Sequence, residues 1–123
     1  MNKLKLNIWG RDFDLNVGYQ NYPGEEVTEL QQETLNSITS IDFSEARTGV
    51  EKYITQHFAS ELGDDNLGNI FRFVIPKSIL IMRSEDSRLF AILCNFKLDM
   101  EHGIAIAYKN EIFTTAGPQD LVL

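Results

Sequence analysis

Apolar and polar residues alternate along the beginning of the chain. Apolar side chains occupy every second position from Leu4 to Ile8, and the same period of two recurs from Phe13 to Val17. A period of two is typical of strands that bury one face. The Gly10-Arg11 pair separates the two runs, and glycine at the first position of a two-residue loop favours a type II′ turn. The pattern therefore predicts an N-terminal β-hairpin.

From Glu25 the apolar spacing changes to that of an amphipathic helix. The apolar side of this predicted helix consists of Val27, Leu30, Thr34, Leu35 and Ile38. The opposite side carries four glutamates, which are Glu25, Glu26, Glu29 and Glu33. Acidic residues in a first turn interact favourably with the helix dipole, so part of this acidity has a structural reason.

A second amphipathic helix is predicted from Asp42 to about Leu62. Asp42 and Glu45 have the spacing of a capping box, and apolar residues follow at helical intervals as far as Phe58. His57 falls on the apolar stripe. We therefore expect it to be a hydrogen-bonded residue of the core or its boundary and not a catalytic group.

The chain beyond residue 66 has the pattern of strands. Phe71, Phe73 and Ile75 alternate with other residues, and the Pro76-Lys77 pair predicts a turn. The following segment 79–82 is apolar at every position, which predicts an interior strand. With helices and strands in separate parts of the chain, we predict a single α+β domain over residues 1–123. It would have a hairpin, two amphipathic helices and a mainly antiparallel sheet of about five strands, with the helices on one face.

Composition agrees with one folded domain and indicates the cellular compartment. Hydrophobic residues make up 43% of the 123 residues, well above the level of disordered chains. Cys94 is the only cysteine, so no internal disulfide is possible, and we expect it to be a small core residue. No stretch approaches the roughly 20 apolar residues that span a bilayer. We therefore expect a cytoplasmic protein without a membrane partner.

The net charge of −7 comes from one segment of the chain. Residues 25–65 contain ten acids and two bases, a net charge of −8, whereas the remaining eight acids and nine bases give +1. This balance argues against nucleic acid as a partner and favours a basic protein. The candidate partner-binding residues are Glu25, Glu26, Glu29, Glu33, Asp64, Asp65, Trp9, Tyr19 and Tyr22. Alternatively, the acids are a solvated helix face and the aromatic residues cover one end of the core.

Turn residues and alternating apolar residues are most closely spaced between Asp99 and Asp120. Gly103 can adopt the positive φ that ends a turn, and Asp99 can accept backbone N–H bonds across it. The strand that follows places isoleucines and Tyr108 on one face and alanines on the other, and the alanine face is predicted to pack closely against a helix. Residues 109–111 predict a second tight turn.

Six positions of this region carry a resemblance to a known group of proteins: Asp99, Glu101, His102, Gly103, Gly117 and Asp120. The chain resembles small uncharacterised bacterial proteins with a C-terminal Asp-x-Glu-His-Gly motif followed by Gly-x-x-Asp. Its size, acidity and order of elements are also similar to immunity proteins of bacterial toxin systems, including contact-dependent growth inhibition. The second resemblance implies a protein that binds and inhibits a toxin.

The carboxylates and the imidazole of this motif could also form an active site or a metal site. A turn held by Asp99, with side-chain to backbone bonds from Glu101 and His102, explains the same residues more simply. The chain has no phosphate loop, nucleophile elbow or zinc-binding helix motif, so we expect no catalytic residue, metal or cofactor.

These observations favour a non-enzymatic immunity protein that neutralises a cognate basic toxin, such as a nuclease, by docking an acidic surface. Two alternatives remain open at this point. One is a small enzyme or metal-binding domain centred on residues 99–120, and the other is a structural module that binds another host protein. The oligomeric state is undetermined by the sequence.

Overall fold

A computed structural model describes residues 2–123. Its six strands are β1 (Lys3–Ile8), β2 (Arg11–Tyr19), β3 (Val74–Met82), β4 (Leu89–Phe96), β5 (Ile104–Lys109) and β6 (Ile112–Gly117). Its three helices are α1 (Glu29–Ile38), α2 (Ser44–His57) and α3 (Ala59–Leu62). Two 3-10 turns cover Ile70–Arg72 and Gln119–Leu121. Within residues 2–123, every helix is too short or too polar to cross a membrane.

All six strands form one mixed sheet in chain order, β1-β2-β3-β4-β5-β6. The β2–β3 pair is parallel, and the other four pairs are antiparallel. A parallel pair needs a long crossover, and the three helices occupy it. The α+β class is confirmed, and the hairpin joins the main sheet as its first two strands.

The helices pack on one face of the sheet, as predicted. Ile8, Leu15, Ile79, Ile92 and Ile106 are buried on this face, together with Ile38, Ala46, Val50, Ile54 and Leu62 of the helices. Aromatic rings also contribute to this layer. Phe58 packs edge-on against Phe96, with ring centroids 4.9 Å apart. The core therefore lies between the helices and the inner face of the sheet.

The outer face of the sheet carries no helix layer within residues 2–123, because the buried apolar side chains of the helices all belong to the core. At its centre are three buried alanines that lie outside the core, Ala91, Ala105 and Ala107. Half-buried apolar residues surround them, namely Ile75, Leu80, Met82, Leu89 and Leu93. The prediction that the alanine face of β5 packs against a helix is wrong, because the isoleucines and Tyr108 face the helices instead.

The hairpin turn is displaced by one residue from its predicted position. Ile8 pairs with Arg11, so the loop is Trp9-Gly10 and not Gly10-Arg11. Trp9 and Gly10 have φ values of 52° and 89°, and two positive φ angles define a type I′ turn. In this position the Trp9 indole Nε1 donates to the carbonyl oxygen of Phe43 at 2.9 Å, which ties the turn to the start of α2.

The first helix begins four residues later than predicted, at Glu29. Thr28 caps it, since its side chain accepts from the Gln31 backbone N–H, and the Gln31 side chain accepts from the Thr28 backbone N–H. Glu25 and Glu26 therefore lie in the preceding loop, and only Glu29 is acidic in the first turn. A capping box that was not predicted, formed by Thr28 and Gln31, therefore begins α1.

The predicted second helix is two helices. It begins at Ser44, where the Asp42 carboxylate accepts from both the backbone N–H and the hydroxyl of Ser44, so the predicted Asp42-Glu45 capping box does not form. Phe58, with φ −129° and ψ 26°, leaves the helical conformation between α2 and α3. His57 ends α2 and is exposed, which overturns its assignment to the core or its boundary.

Pro76 and Lys77 do not turn the chain. Both lie within β3, where the pairing with β4 shifts between Pro76 and Ser78. Proline cannot donate to the sheet, and a bulge is one of the places where a strand tolerates it. The predicted strand from Phe71 is wrong at its start, because residues 70–72 form a 3-10 turn that leads into β3.

Candidate functional site

The motif turn at residues 99–103 is held by Asp99. Both carboxylate oxygens of Asp99 lie 3.0 Å from Nδ1 of His102, and Oδ1 also accepts from the His102 backbone N–H at 3.3 Å. Gly103 has a φ of 59° and donates its N–H to the Asp99 carbonyl at 2.9 Å. The predicted positive φ and the Asp99 turn are confirmed. The imidazole of His102 bonds the Asp99 carboxylate, however, and not the backbone.

The end of the chain crosses directly over this turn. Gln119 donates from its backbone N–H to the His102 carbonyl at 3.0 Å, and from Nε2 to the Cys94 carbonyl at 3.1 Å. A Cβ atom at Gly103 would lie 2.5 Å from that Nε2 and 2.8 Å from the Cys94 oxygen. One at Gly117 would lie 2.6 Å from Leu121 Cδ1. The two motif glycines therefore leave room for the chain crossing.

The charged members of the motif surround the imidazole on an exposed surface. The hydrogen bond to Asp99, with the charges of Asp99, Glu101 and Asp120, raises the pKa of His102 above 6.5. Within residues 2–123, no group of three or more His, Cys, Asp or Glu side chains is arranged to hold a metal ion. Cys94 is fully buried, and burial raises the pKa of its thiol, which disfavours the nucleophilic thiolate. Asp99, His102, Gly103 and Gly117 thus have structural roles.

Some of the candidate partner-binding acids meet around Arg83, in a group that we name the Arg83 corner. Its members are Tyr22, Glu25, Glu29, Glu33, Arg83 and Glu85. Glu25 is half-buried and paired with Arg83, whereas Glu29 and Glu33 are exposed on α1 beside Glu85. Glu26 is exposed in the loop between Glu25 and α1.

Asp64 and Asp65 lie at a different place. Asp65 is 3.5 Å from Arg72, which precedes β3, whereas Arg83 follows the end of β3. The nine residues of this strand correspond to about 30 Å. The six candidate acids therefore form two groups at opposite ends of β3 and not one surface.

The three candidate aromatic residues are also separated. Trp9 and Tyr19 are half-buried against the core, at opposite ends of β2. Tyr22 is 64% exposed, and the guanidinium carbon of Arg83 lies 4.7 Å from its ring centroid. Only Tyr22 combines an accessible ring with neighbouring carboxylates.

The structure adds a feature that the sequence did not reveal, which we name the Tyr108 cleft. It is an open cleft of about 340 Å³ between the α1–α2 connection and the β5–β6 turn. Its lining consists of Ser40, Ile41, Asp42, Ser44, Glu45, Tyr108, Glu111, Ile112 and Phe113. Arg88 links it to the Arg83 corner: it binds Glu111 at 2.7 and 2.9 Å, and Glu33 lies close enough for its charge to contribute to the raised pKa of Arg88.

Tyr108 contributes a buried hydroxyl to this cleft. Its ring stacks on Phe90 with centroids 5.0 Å apart and is only 2% exposed. The hydroxyl has no hydrogen-bond partner among residues 2–123. Burial, together with the charges of Glu45 and Asp42, raises the pKa of this hydroxyl, so it remains neutral. A buried hydroxyl without a partner is uncommon, because an unmade hydrogen bond costs about 1–3 kcal/mol.

No sequence signal indicated this cleft. Asp42 and Glu45 belong to the acidic segment and Tyr108 to a regular strand, and more than sixty positions of the chain separate them.

Comparisons with models of known protein families, with curated proteins and with solved structures found no match.

Proposed function

We propose that this chain is a non-enzymatic protein-binding inhibitor, an immunity protein that neutralises a basic bacterial toxin in the cytoplasm, with a nuclease as the expected class of toxin. The docking surface is the acidic rim that runs from the Arg83 corner to the Tyr108 cleft. It consists of Glu29, Glu33, Glu85, Glu111, Asp42 and Glu45.

The Tyr108 cleft is the observation that carries this proposal. Two carboxylates, Asp42 and Glu45, line it above a neutral hydroxyl that lacks a partner. The side chain of lysine or arginine from a basic partner has a positive charge for the carboxylates and N–H donors for the Tyr108 oxygen. That oxygen is buried in the free chain, so the bond requires the side chains that cover it to move aside on binding. Its apolar stem matches Phe113 and Ile112 at the mouth of the cleft. The cleft is thus suited to receive one basic anchor residue.

The motif region supports this function better than the enzyme alternative. Asp99 and His102 bond each other within a turn, and Gly103 and Gly117 accommodate the chain crossing. The alternative of an enzyme or metal-binding domain at residues 99–120 therefore lacks a specific observation in its favour.

The proposal expects a toxin reading frame beside the gene of this chain, and the test measures inhibition of the toxin that it encodes. We expect the purified chain to bind that toxin and to suppress its activity. Tyr108→Phe keeps the ring but removes the hydroxyl, and we expect dissociation to become about tenfold faster, as for loss of a hydrogen bond to a charged group. Tyr53→Phe is the matched control, because Tyr53 is half-buried on α2 away from the cleft.

The outcomes separate the function from the site. A parent chain that neither binds nor inhibits the adjacent toxin would contradict the proposed function. Inhibition with equal dissociation rates for the parent and Tyr108→Phe would retain the function and remove the cleft from the docking surface.

A further inference from the structure

We propose that the outer face of the sheet is the contact between two copies of this chain. The sequence of the central strands is apolar on both faces, and such runs are typical of strands covered on both sides. The helices cover only the inner face. The half-buried apolar residues of β3 and β4 on the outer face are therefore left for a second molecule, and apolar patches that solvent reaches mark interaction sites.

The shape of the outer face is complementary to itself. β3 and β4 carry large side chains, where Leu80 and Leu93 are half-buried, whereas β5 presents the small Ala105 and Ala107 at the same levels. A two-fold axis along β4 exchanges the positions of β3 and β5. Leu80 of one copy then lies over Ala107 of the other, because both residues are at the level of Ala91. A symmetric dimer requires this kind of self-complementary patch.

The distribution of charge also favours contact between two copies through the outer face. By strand pairing, the ionisable residues of the outer face are Lys3, Lys5, Lys109, Asp12 and Asp14, with a net charge of +1. The rest of the chain then carries −8, since the total is −7. Two copies that meet through the helices would bring these negative charges together. Contact through the outer face keeps them apart.

The face is large enough for a stable pair. The two-fold axis along β4 superimposes the five strands β2 to β6. Five strands at about 4.8 Å spacing and 6–9 residues at about 3.3 Å give roughly 480–710 Å² per copy. Both copies together would bury about 950–1,400 Å², which reaches the roughly 1,000 Å² expected of a specific interface. The acidic rims of the two copies would remain accessible on the outside of the dimer.

The experiment measures the molar mass of the full chain by light scattering and sedimentation over a wide concentration range. We expect twice the 14.1 kDa of one chain for the parent protein. Leu80→Thr combined with Leu93→Thr removes apolar surface but keeps residues that strands accept, and should weaken the dimer at least about tenfold. Leu93→Lys should give a monomer. Met100→Lys is the control, because Met100 is 68% exposed in the motif turn and away from this face.

Each result decides the proposal. A parent chain that stays monomeric at all concentrations overturns it, and a partner of another kind would then have to cover the face. A dimer that survives in both the threonine variant and Leu93→Lys also overturns it, since the contact would lie elsewhere. If Leu93→Lys fails to fold, the threonine variant alone provides the test.

Discussion

Arg83 donates from Nε to both carboxylate oxygens of Glu25, at 2.9 and 3.0 Å, across 58 positions of the chain. This contact fixes the loop before α1 to the end of β3. The hydrogen bond from Arg83, together with one from Asn21, lowers the pKa of Glu25 from 4.5 to about 2. One of the candidate partner-binding acids therefore also stabilises the fold.

The first prediction concerns the pH dependence of this contact. Because the pKa of Glu25 is lower in the folded state, its contribution to stability is complete above pH 4.5 and is lost as the pH falls toward about 2. We expect Glu25→Gln to lower the melting temperature above pH 4.5 and to have little effect near pH 2. Melting curves across this range measure the difference. Glu26→Gln is the control, since Glu26 is exposed in the same loop. A difference in melting temperature between the parent and Glu25→Gln that stays the same at every pH would contradict the prediction.

The second prediction concerns Gly103. Its φ of 59° is strained for other residues, which costs about 1–3 kcal/mol, and a Cβ would lie 2.8 Å from the Cys94 carbonyl oxygen. We expect Gly103→Ala to lower the free energy of unfolding by at least this amount, and Gly103→Val by more. Denaturant unfolding measures it.

Gly24→Ala is the matched control for this experiment. Gly24 has a φ of 79°, but nothing lies within 4 Å of an added Cβ. It therefore reports the cost of the backbone angle without the steric contact. Equal losses of unfolding free energy for both variants would show that the steric contacts with Gln119 and the Cys94 carbonyl oxygen add nothing to the cost of the backbone angle.

The third prediction concerns the pair of Asp99 and His102. A raised histidine pKa means that the pair stabilises the folded state fully below pH 6.5, and that this contribution is lost as the pH rises through the raised value. Asp99→Asn keeps an oxygen for the His102 backbone N–H but removes the charge. We expect it to lower the pKa of His102 in an NMR titration. We also expect it to be more destabilising below pH 6.5 than at alkaline pH. An unchanged histidine pKa in the variant would exclude the ion pair.

The sequence predicts those parts of the fold that depend on periodicity. The helices on one face, the sheet and the 99–103 turn follow from local spacing. Pro76 misleads because proline usually marks a turn, whereas here the bulge before Ser78 accommodates it inside β3. The start of α1 is misplaced because Glu25 suits a helix N-terminus but forms an ion pair with Arg83, a contact that only the tertiary structure creates.

The candidate site is less predictable than the fold, because its residues come together only in the tertiary structure. The charge of the acidic segment is evident from the sequence, yet the division of its acids between two ends of β3 requires the strand to be in place. The Tyr108 cleft requires even more, because a hydroxyl without a partner can be recognised only when all neighbouring atoms are known.

The last prediction uses this division to locate the docking surface. Charges that steer a basic partner act mainly on the association rate, and salt screens them over about 8–10 Å. If the toxin docks on the acidic rim, replacing Glu29 and Glu33 by Gln should slow association, most strongly at low salt. Replacing Asp64 and Asp65 by Asn removes the same charge about 30 Å away along β3 and should have a much smaller effect.

Both variants should fold like the parent, because exposed charges contribute little to stability. The measurement is the association rate with the product of the adjacent toxin gene at two salt concentrations, for the parent and both variants. A larger effect of the aspartate pair would move the docking surface to the other end of β3, beside Arg72. Equal rates for all three proteins at both salt concentrations would mean that neither acidic group steers the partner. Since each variant removes two negative charges from the same total, a difference between them can arise only from position.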